Sequence, residues 1–105
     1  MAEGIAITKV ADNSYIISGK LASEHIMGFI DLLSSQPISS QDPLQIDIGK
    51  CKIEDGLTLL AMVKTLLALA KHVPQLIVIG ASELLEPELI NKAPNISFRG
   101  MREHA

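Results

Sequence analysis

The residues of this chain best suited to chemistry lie together in the segment Lys50-Cys51-Lys52-Ile53-Glu54-Asp55-Gly56. Its two carboxylates, Glu54 and Asp55, directly precede an apolar run of helical length. Negative charge is favoured at the N-terminus of a helix, and Asp55 could accept hydrogen bonds from the free N–H groups there as an N-cap. The pair therefore predicts either a helix cap alone or an anionic recognition site.

Cys51 is the single cysteine, so it forms no internal disulfide, and a free thiol is typical of a reducing cytoplasm. Lys50 and Lys52 beside it would lower its pKa and favour the reactive thiolate. No glycine-rich anion loop with a terminal arginine follows, however, and the histidines nearest in sequence are His25 and His72. A small thiol enzyme using Cys51 is therefore the weakest functional alternative.

Other catalytic and metal-binding patterns are absent from the sequence. No acid–base pair, nucleophile with an adjacent base or phosphate-binding loop can be assembled, and no pair of histidines or cysteines has metal-ligand spacing. We expect a protein that is not an enzyme and that needs neither a metal nor a cofactor.

The segment is flanked by elements that would position it at the edge of a sheet. Leu44–Gly49 and Gln75–Gly80 have strand length and β-branched residues, and Leu57–Lys71 between them has the length of one helix. A strand, helix and parallel strand in sequence form a right-handed crossover in nearly all proteins, with the helix against the sheet. Ligands and modifications collect where a strand's carboxyl end meets a helix N-terminus.

The remaining elements follow from periodicity and turn residues. Alternating apolar runs predict a hairpin, and apolar residues at helical spacing predict a helix capped by Ser23 and, near the end of the chain, a shorter helix capped by Ser82. The predicted elements are the strands Ile5–Val10 and Tyr15–Gly19, the helix Ser23–Ser34, a loop to Asp42, the helix Glu83–Ile90 and a short edge strand Asn95–Arg99.

The apolar arc of the central helix spans about 180°, wider than the ~100° that a surface helix needs. The residues Thr58, Ala61, Lys64, Thr65, Ala68 and Lys71 gather on the opposite, more polar side. Either neighbouring helices flank this helix on both sides, or some of its leucines lie at a partner surface.

Composition limits the class of protein. A chain of 105 residues is one domain, residues 1–105, and its net charge of −3 with a pI near 5.5 argues against binding nucleic acid, which needs clustered Lys and Arg. No apolar run reaches the roughly 18 residues of a membrane span, and no signal-peptide pattern opens the chain. We expect a cytoplasmic protein without membrane insertion.

The order of elements and four short motifs resemble the STAS domain, named for sulphate transporters and anti-sigma-factor antagonists. The motifs match its apolar-x-Gly-x-Leu segment, its apolar-Asp-apolar strand, its Asp-Ser-Ser/Thr-Gly-Leu turn and its last core strand. The matching residues are Tyr15-Ile16-Ile17-Ser18-Gly19-Lys20-Leu21, Gln45-Ile46-Asp47-Ile48, Ile53-Glu54-Asp55-Gly56-Leu57 and Leu76-Ile77-Val78-Ile79-Gly80. The resemblance implies an α/β fold with a mixed β-sheet, helices packed on one face and the order β-β-α-β-α-β-α.

In the family, a partner kinase phosphorylates a Ser or Thr of the acidic turn and thereby switches binding. Aligned without gaps, Asp55 matches the family's Asp and the hydroxyl positions fall on Gly56 and Leu57; aligned on the family's Gly, they fall on Glu54 and Asp55. We prefer the first alignment because it needs no deletion. Thr58 is the only hydroxyl near the helix start, which makes it the candidate for phosphorylation, although two nearby carboxylates would repel a phosphate.

The sequence therefore predicts a non-enzymatic bacterial regulatory module that binds another protein and resembles anti-sigma-factor antagonists without serine switching. The predicted partner is an anti-sigma-factor-like kinase or another signalling protein, and a homodimer is left open. The predicted binding residues are Glu54, Asp55, Gly56, Leu57 and Leu60. The alternative within the same family is the small STAS subunit of an ABC-type lipid transporter.

Overall fold

The structure is a computed structural model that describes residues 5–22, 24, 26–53, 55–81, 85–90 and 92–99. Within these residues it has an α/β fold with a mixed five-stranded sheet and three helices. In chain order the elements are β1 Ile5–Ala11, β2 Ser14–Leu21, α1 Ile26–Ser34, β3 Leu44–Ile53, α2 Gly56–Ala70, β4 Leu76–Ile79, α3 Glu86–Leu89 and β5 Ile96–Arg99. The predicted N-caps Ser23 and Ser82 lie outside the described residues.

The sheet has the strand order β1-β2-β3-β4-β5, in which β1 and β2 are antiparallel and each later pair is parallel. The predicted hairpin and the predicted parallel crossover are both confirmed, because Leu44 pairs with Leu76 and Asp47 with Ile79 in neighbouring parallel strands. The seven-element order that the family resemblance implies is wrong at its end, since β5 follows α3 as an eighth element. The short edge strand that the residues themselves predict at Asn95–Arg99 is confirmed as β5.

β3 extends to Ile53, which corrects the prediction that Lys50 begins a turn. An extra residue in β3 shifts its register against β2: Ile16 pairs with Asp47, but Ser18 pairs with Lys50. This is a β-bulge, and the Asp47 carboxylate accepts a hydrogen bond of 2.9 Å from the backbone N–H of Gly49 within it. Beyond the bulge the strand pairs again as far as Ile53.

The core lies between one face of the sheet and the helices. On β2 and β3 alternate side chains are buried, and they join residues of α1, α2, β4 and α3 in a single apolar cluster. The residues between them in sequence, such as Ile16, Asp47 and Ile79, are only half-buried on the opposite face. The helices thus cover one face, as the sequence predicts.

α1 and α2 begin at the same edge of the sheet. They follow β2 and β3, which are parallel neighbours, so both start at the carboxyl ends of these strands and run back in the same direction. The first turns of the two helices and the β3–α2 turn are therefore neighbouring parts of one surface. No helix in the described part of the chain is long and apolar enough to cross a membrane.

Candidate functional site

The β3–α2 turn carries the candidate site, and Asp55 is its best-defined residue. Asp55 has an extended backbone, with φ −152° and ψ 171°, and its carboxylate accepts a 2.8 Å hydrogen bond from the backbone N–H of Thr58. Its own carbonyl accepts the first helical bond, from the N–H of Leu59 at 3.0 Å. The predicted N-cap is confirmed, and this geometry holds a negative charge at the beginning of α2.

The hydrogen bond from Thr58 has an electrostatic consequence. The backbone N–H of Thr58 holds the pKa of Asp55 below its ordinary value of 3.8, because this donor stabilises the ionised form; the Thr58 side chain and, to a smaller extent, the N–H of Leu57 act in the same direction. Asp55 is exposed, so its charge is available to a partner at neutral pH.

Acid should therefore weaken the folded state through Asp55. A carboxyl group whose pKa is lower in the folded than in the unfolded state stabilises folding above its unfolded pKa, and this stabilisation is lost as the pH falls through the folded pKa. We expect the wild-type protein to lose stability more steeply than Asp55→Asn below about pH 4, because Asn caps without titrating. Urea unfolding from about pH 6 to pH 3 measures this, and parallel curves for the two proteins would contradict it.

The predicted binding residues around Asp55 are exposed. Leu57 and Leu60 have 66% and 54% of their surface accessible, and they lie three residues apart on neighbouring positions of the helix surface. Gly56 is exposed too, and a side chain there would meet open space. We call Asp55, Gly56, Leu57 and Leu60 the α2 N-terminal surface. Glu54, predicted to belong to it, lies outside the described residues.

The sequence places Thr58 on the polar side of the helix, but in the structure its side chain is completely buried. It shares a stripe with the buried residues Met62 and Leu66, at four-residue spacing. A kinase could reach this hydroxyl only after the first turn of α2 opens. Phosphorylation of Thr58 stays a prediction, and the folded geometry opposes it.

Cys51 is part of β3 and not of a turn. It pairs with Gly19 and packs against the core, and burial raises the pKa of its thiol above the ordinary value of 9.0. The prediction that Lys50 and Lys52 lower this pKa is wrong, because successive strand residues point to opposite faces of the sheet. A protonated, half-buried thiol is a poor nucleophile.

Alkylation of Cys51 should accordingly be slow. At pH 7.5 we expect iodoacetamide to react at least about tenfold more slowly with the folded protein than with the protein in denaturant, since burial limits both access and ionisation. Mass spectrometry over time gives the two rates. Equal rates would show that Cys51 is accessible in the folded protein. Loss of partner binding in Cys51→Ala would show that the thiol contributes to the candidate site.

The described histidines and acids form no metal centre. No group of three or more His, Cys, Asp or Glu residues within the described ranges could hold a metal ion. His72 is exposed just beyond α2 and lines a groove between α1 and α2. His25 lies outside the described residues.

Sequence reasoning did not include this groove or Met27, whose side chain is 67% exposed on α1. A helical wheel of α1 could have shown that Met27 shares a side with Ser34, but only the structure shows that α2 is the neighbour on that side.

Comparisons with known proteins add no relative to this description. The sequence matches no protein-family model and no curated protein. The proposal for its function therefore depends on the residues and geometry described above.

Proposed function

We propose that this protein is a non-enzymatic bacterial cytoplasmic module that binds another protein through the α2 N-terminal surface, in the manner of an anti-sigma-factor antagonist. One observation carries the proposal: Leu57 and Leu60 are exposed beside the fixed carboxylate of Asp55. Buried apolar anchors with a charged rim are the usual composition of a protein interface.

The architecture supports a STAS-like module. The mixed sheet, the helices on one face and the acidic turn before the central helix agree with what the resemblance implies, whereas β5 is an element beyond the order that it implies. The Tyr15–Leu21 motif lies in β2, and the acidic turn, which in the family carries the phosphorylated residue, precedes the central helix at the carboxyl edge of the sheet.

Binding is proposed to be constitutive rather than switched. The hydroxyl that a kinase would need is buried at Thr58, and a phosphate there would lie within three residues of the Asp55 charge. The ionised carboxylate supplies a permanent negative charge, about half of what a phosphoserine carries. The partner therefore recognises the unmodified protein.

Site-specific photo-crosslinking in the source cells tests this proposal. A photoreactive amino acid at position 60 should form one discrete adduct with another protein, and the same group at position 90 should not. Ile90 is the matched control because its exposure, 51%, is close to that of Leu60 and it lies beyond α3. An adduct at position 90 with none at position 60 would contradict the proposal.

The identity of the adduct also separates the two forms of the proposal. An ATP-binding signalling protein would support the regulatory module, and a transporter ATPase would support the alternative. Unlabelled wild-type protein in excess should suppress the adduct, which confirms that it forms at a saturable site.

A further inference from the structure

A groove of about 430 Å³ runs between α1 and α2 on the outer surface of the helix layer. Ile30 and Leu33 form its α1 wall, and its α2 wall includes Ala61 and Ala68. Ala61 and Ala68 contribute to the groove, because an alanine leaves a gap where a longer side chain would reach the neighbouring helix.

The walls of this groove continue towards the N-termini of both helices. At about 100° per residue, Met27 projects within about 20° of Ser34, which lines the groove on α1, and Leu57 projects within about 20° of Ala68 on α2. Met27 and Leu57 are 67% and 66% exposed, the highest values among the large apolar residues in the described ranges. Leu57 to Ala68 spans about 17 Å, or three helical turns.

The lysines of this face lie along the α2 wall of the groove, whereas the Asp55 carboxylate lies beyond its N-terminal end. Lys64 lines the groove, His72 lies at its far end, and no carboxylate is present among the described residues that line it. Lys71 is exposed at seven-residue spacing from Lys64, on the same side of the helix. Asp31, the exposed acid of α1, is not among the lining residues.

We infer that this groove binds an amphipathic helix of the partner protein, with its apolar stripe between α1 and α2 and an acidic flank towards Lys64 and Lys71. The inference rests on the proposed function and names the chemistry of its partner. A three-turn trough with apolar walls fits the recurring helix-in-groove mode, in which apolar anchors repeat at three- and four-residue spacing. A small ligand in the groove would leave Met27 and Leu57 exposed.

A display library of helical peptides tests the inference with probes of defined chemistry. Each peptide has about sixteen residues, a fixed leucine stripe and flanks randomised among Glu, Lys, Gln and Ser. Selection on the wild-type protein should enrich Glu on one flank, and selection on Lys64→Glu should enrich Lys there. Lys92→Glu reverses the charge of an exposed residue that does not line the groove, and selection on it should give the wild-type result.

Filling the groove gives the second readout. Ala68→Trp should weaken the selected peptides at least tenfold, whereas Ile90→Trp should leave them unchanged, and thermal melts establish that both variants fold. Failure to enrich any helix, flanks without charge preference, or full affinity for Ala68→Trp would each overturn the inference. Sedimentation of the free protein tests whether a second copy of this chain occupies the groove. A dimer that Ala68→Trp dissociates would assign the groove to that second copy and would also overturn the inference.

These outcomes are separate from those of the proposed function. If crosslinking at position 60 succeeds but Ala68→Trp binds the selected helices normally, only the groove inference fails. If the helices behave as expected but the cellular adduct forms elsewhere, the proposed function fails at the α2 N-terminal surface.

Discussion

Leu60→Asp is expected to lower the affinity for the crosslinked partner about hundredfold while the protein remains folded. Leu60 is more than half exposed, so an aspartate there stays in water and costs the folded state little. In a complex, the same aspartate would place a charge where an apolar anchor is buried, next to the existing negative charge of Asp55. Losses of this size are typical of central interface residues.

Titration calorimetry with the purified partner measures this effect, and Ile90→Asp is the matched control. Both substitutions place the same charge at a position of similar exposure, 54% for Leu60 and 51% for Ile90. Equal affinities for the two variants would show that the partner docks elsewhere. Thermal melts that agree within a few degrees ensure that the comparison reports binding and not unfolding.

Gly80→Ala is expected to lower the free energy of unfolding by about 3 kcal/mol or more. Gly80 has a positive φ of 75°, and a Cβ atom there would lie 2.6 Å from the Cα and 2.8 Å from the backbone nitrogen of Gly49. These are backbone atoms of the β3 bulge, held by the Asp47 hydrogen bond, so they cannot move aside as a flexible side chain would.

Gly28→Ala is the control for this prediction, because Gly28 lies within α1 and a Cβ there would have no neighbour within 4 Å. Alanine in an open helical position should stabilise the protein by about 0.5–1 kcal/mol. Urea unfolding of both variants should therefore shift in opposite directions. A Gly80→Ala midpoint equal to that of the wild type would contradict the close contact between the two glycines.

The long elements of this fold could be predicted because their periodicity is strong. The crossover through α2 joins two strands rich in β-branched residues, and the hairpin has Asp12 and Asn13 at its turn, where Asn13 adopts a φ of 55° that asparagine tolerates. Each of these signals is local in sequence. The correct pairing of β3 with β4 then follows from the handedness and length of the crossover.

The predictions that proved wrong concern features that depend on pairing between strands distant in sequence. The bulge at Gly49 shifts the register of β3 and lets the strand pair again as far as Ile53. A glycine in a strand pattern is typical of a bulge or of a strand end, and only the pairing with β2 distinguishes the two. The same extension turns Cys51 towards the core and reverses the expected shift of its pKa.

Only part of the candidate site could be predicted from the sequence, and the reason is physical. An acidic residue before an apolar helix is a local signal, so the cap at Asp55 could be read directly from the sequence. Exposure of Leu57 and burial of Thr58 depend on how α2 is rotated against the sheet, and the wide apolar arc of this helix leaves that rotation open. The groove between α1 and α2 depends on two helices that are distant in sequence.

Methyl NMR of the complex is the most direct test of whether the partner binds the α2 N-terminal surface. With leucine, isoleucine and valine methyl groups labelled, addition of the crosslinked partner should shift the resonances of Leu57 and Leu60 most strongly, while those of Val10 and Ile90, which are 53% and 51% exposed, should stay in place. We expect this pattern because the partner covers the α2 N-terminal surface. Shifts confined to Val10 or Ile90, with Leu57 and Leu60 unchanged, would contradict it.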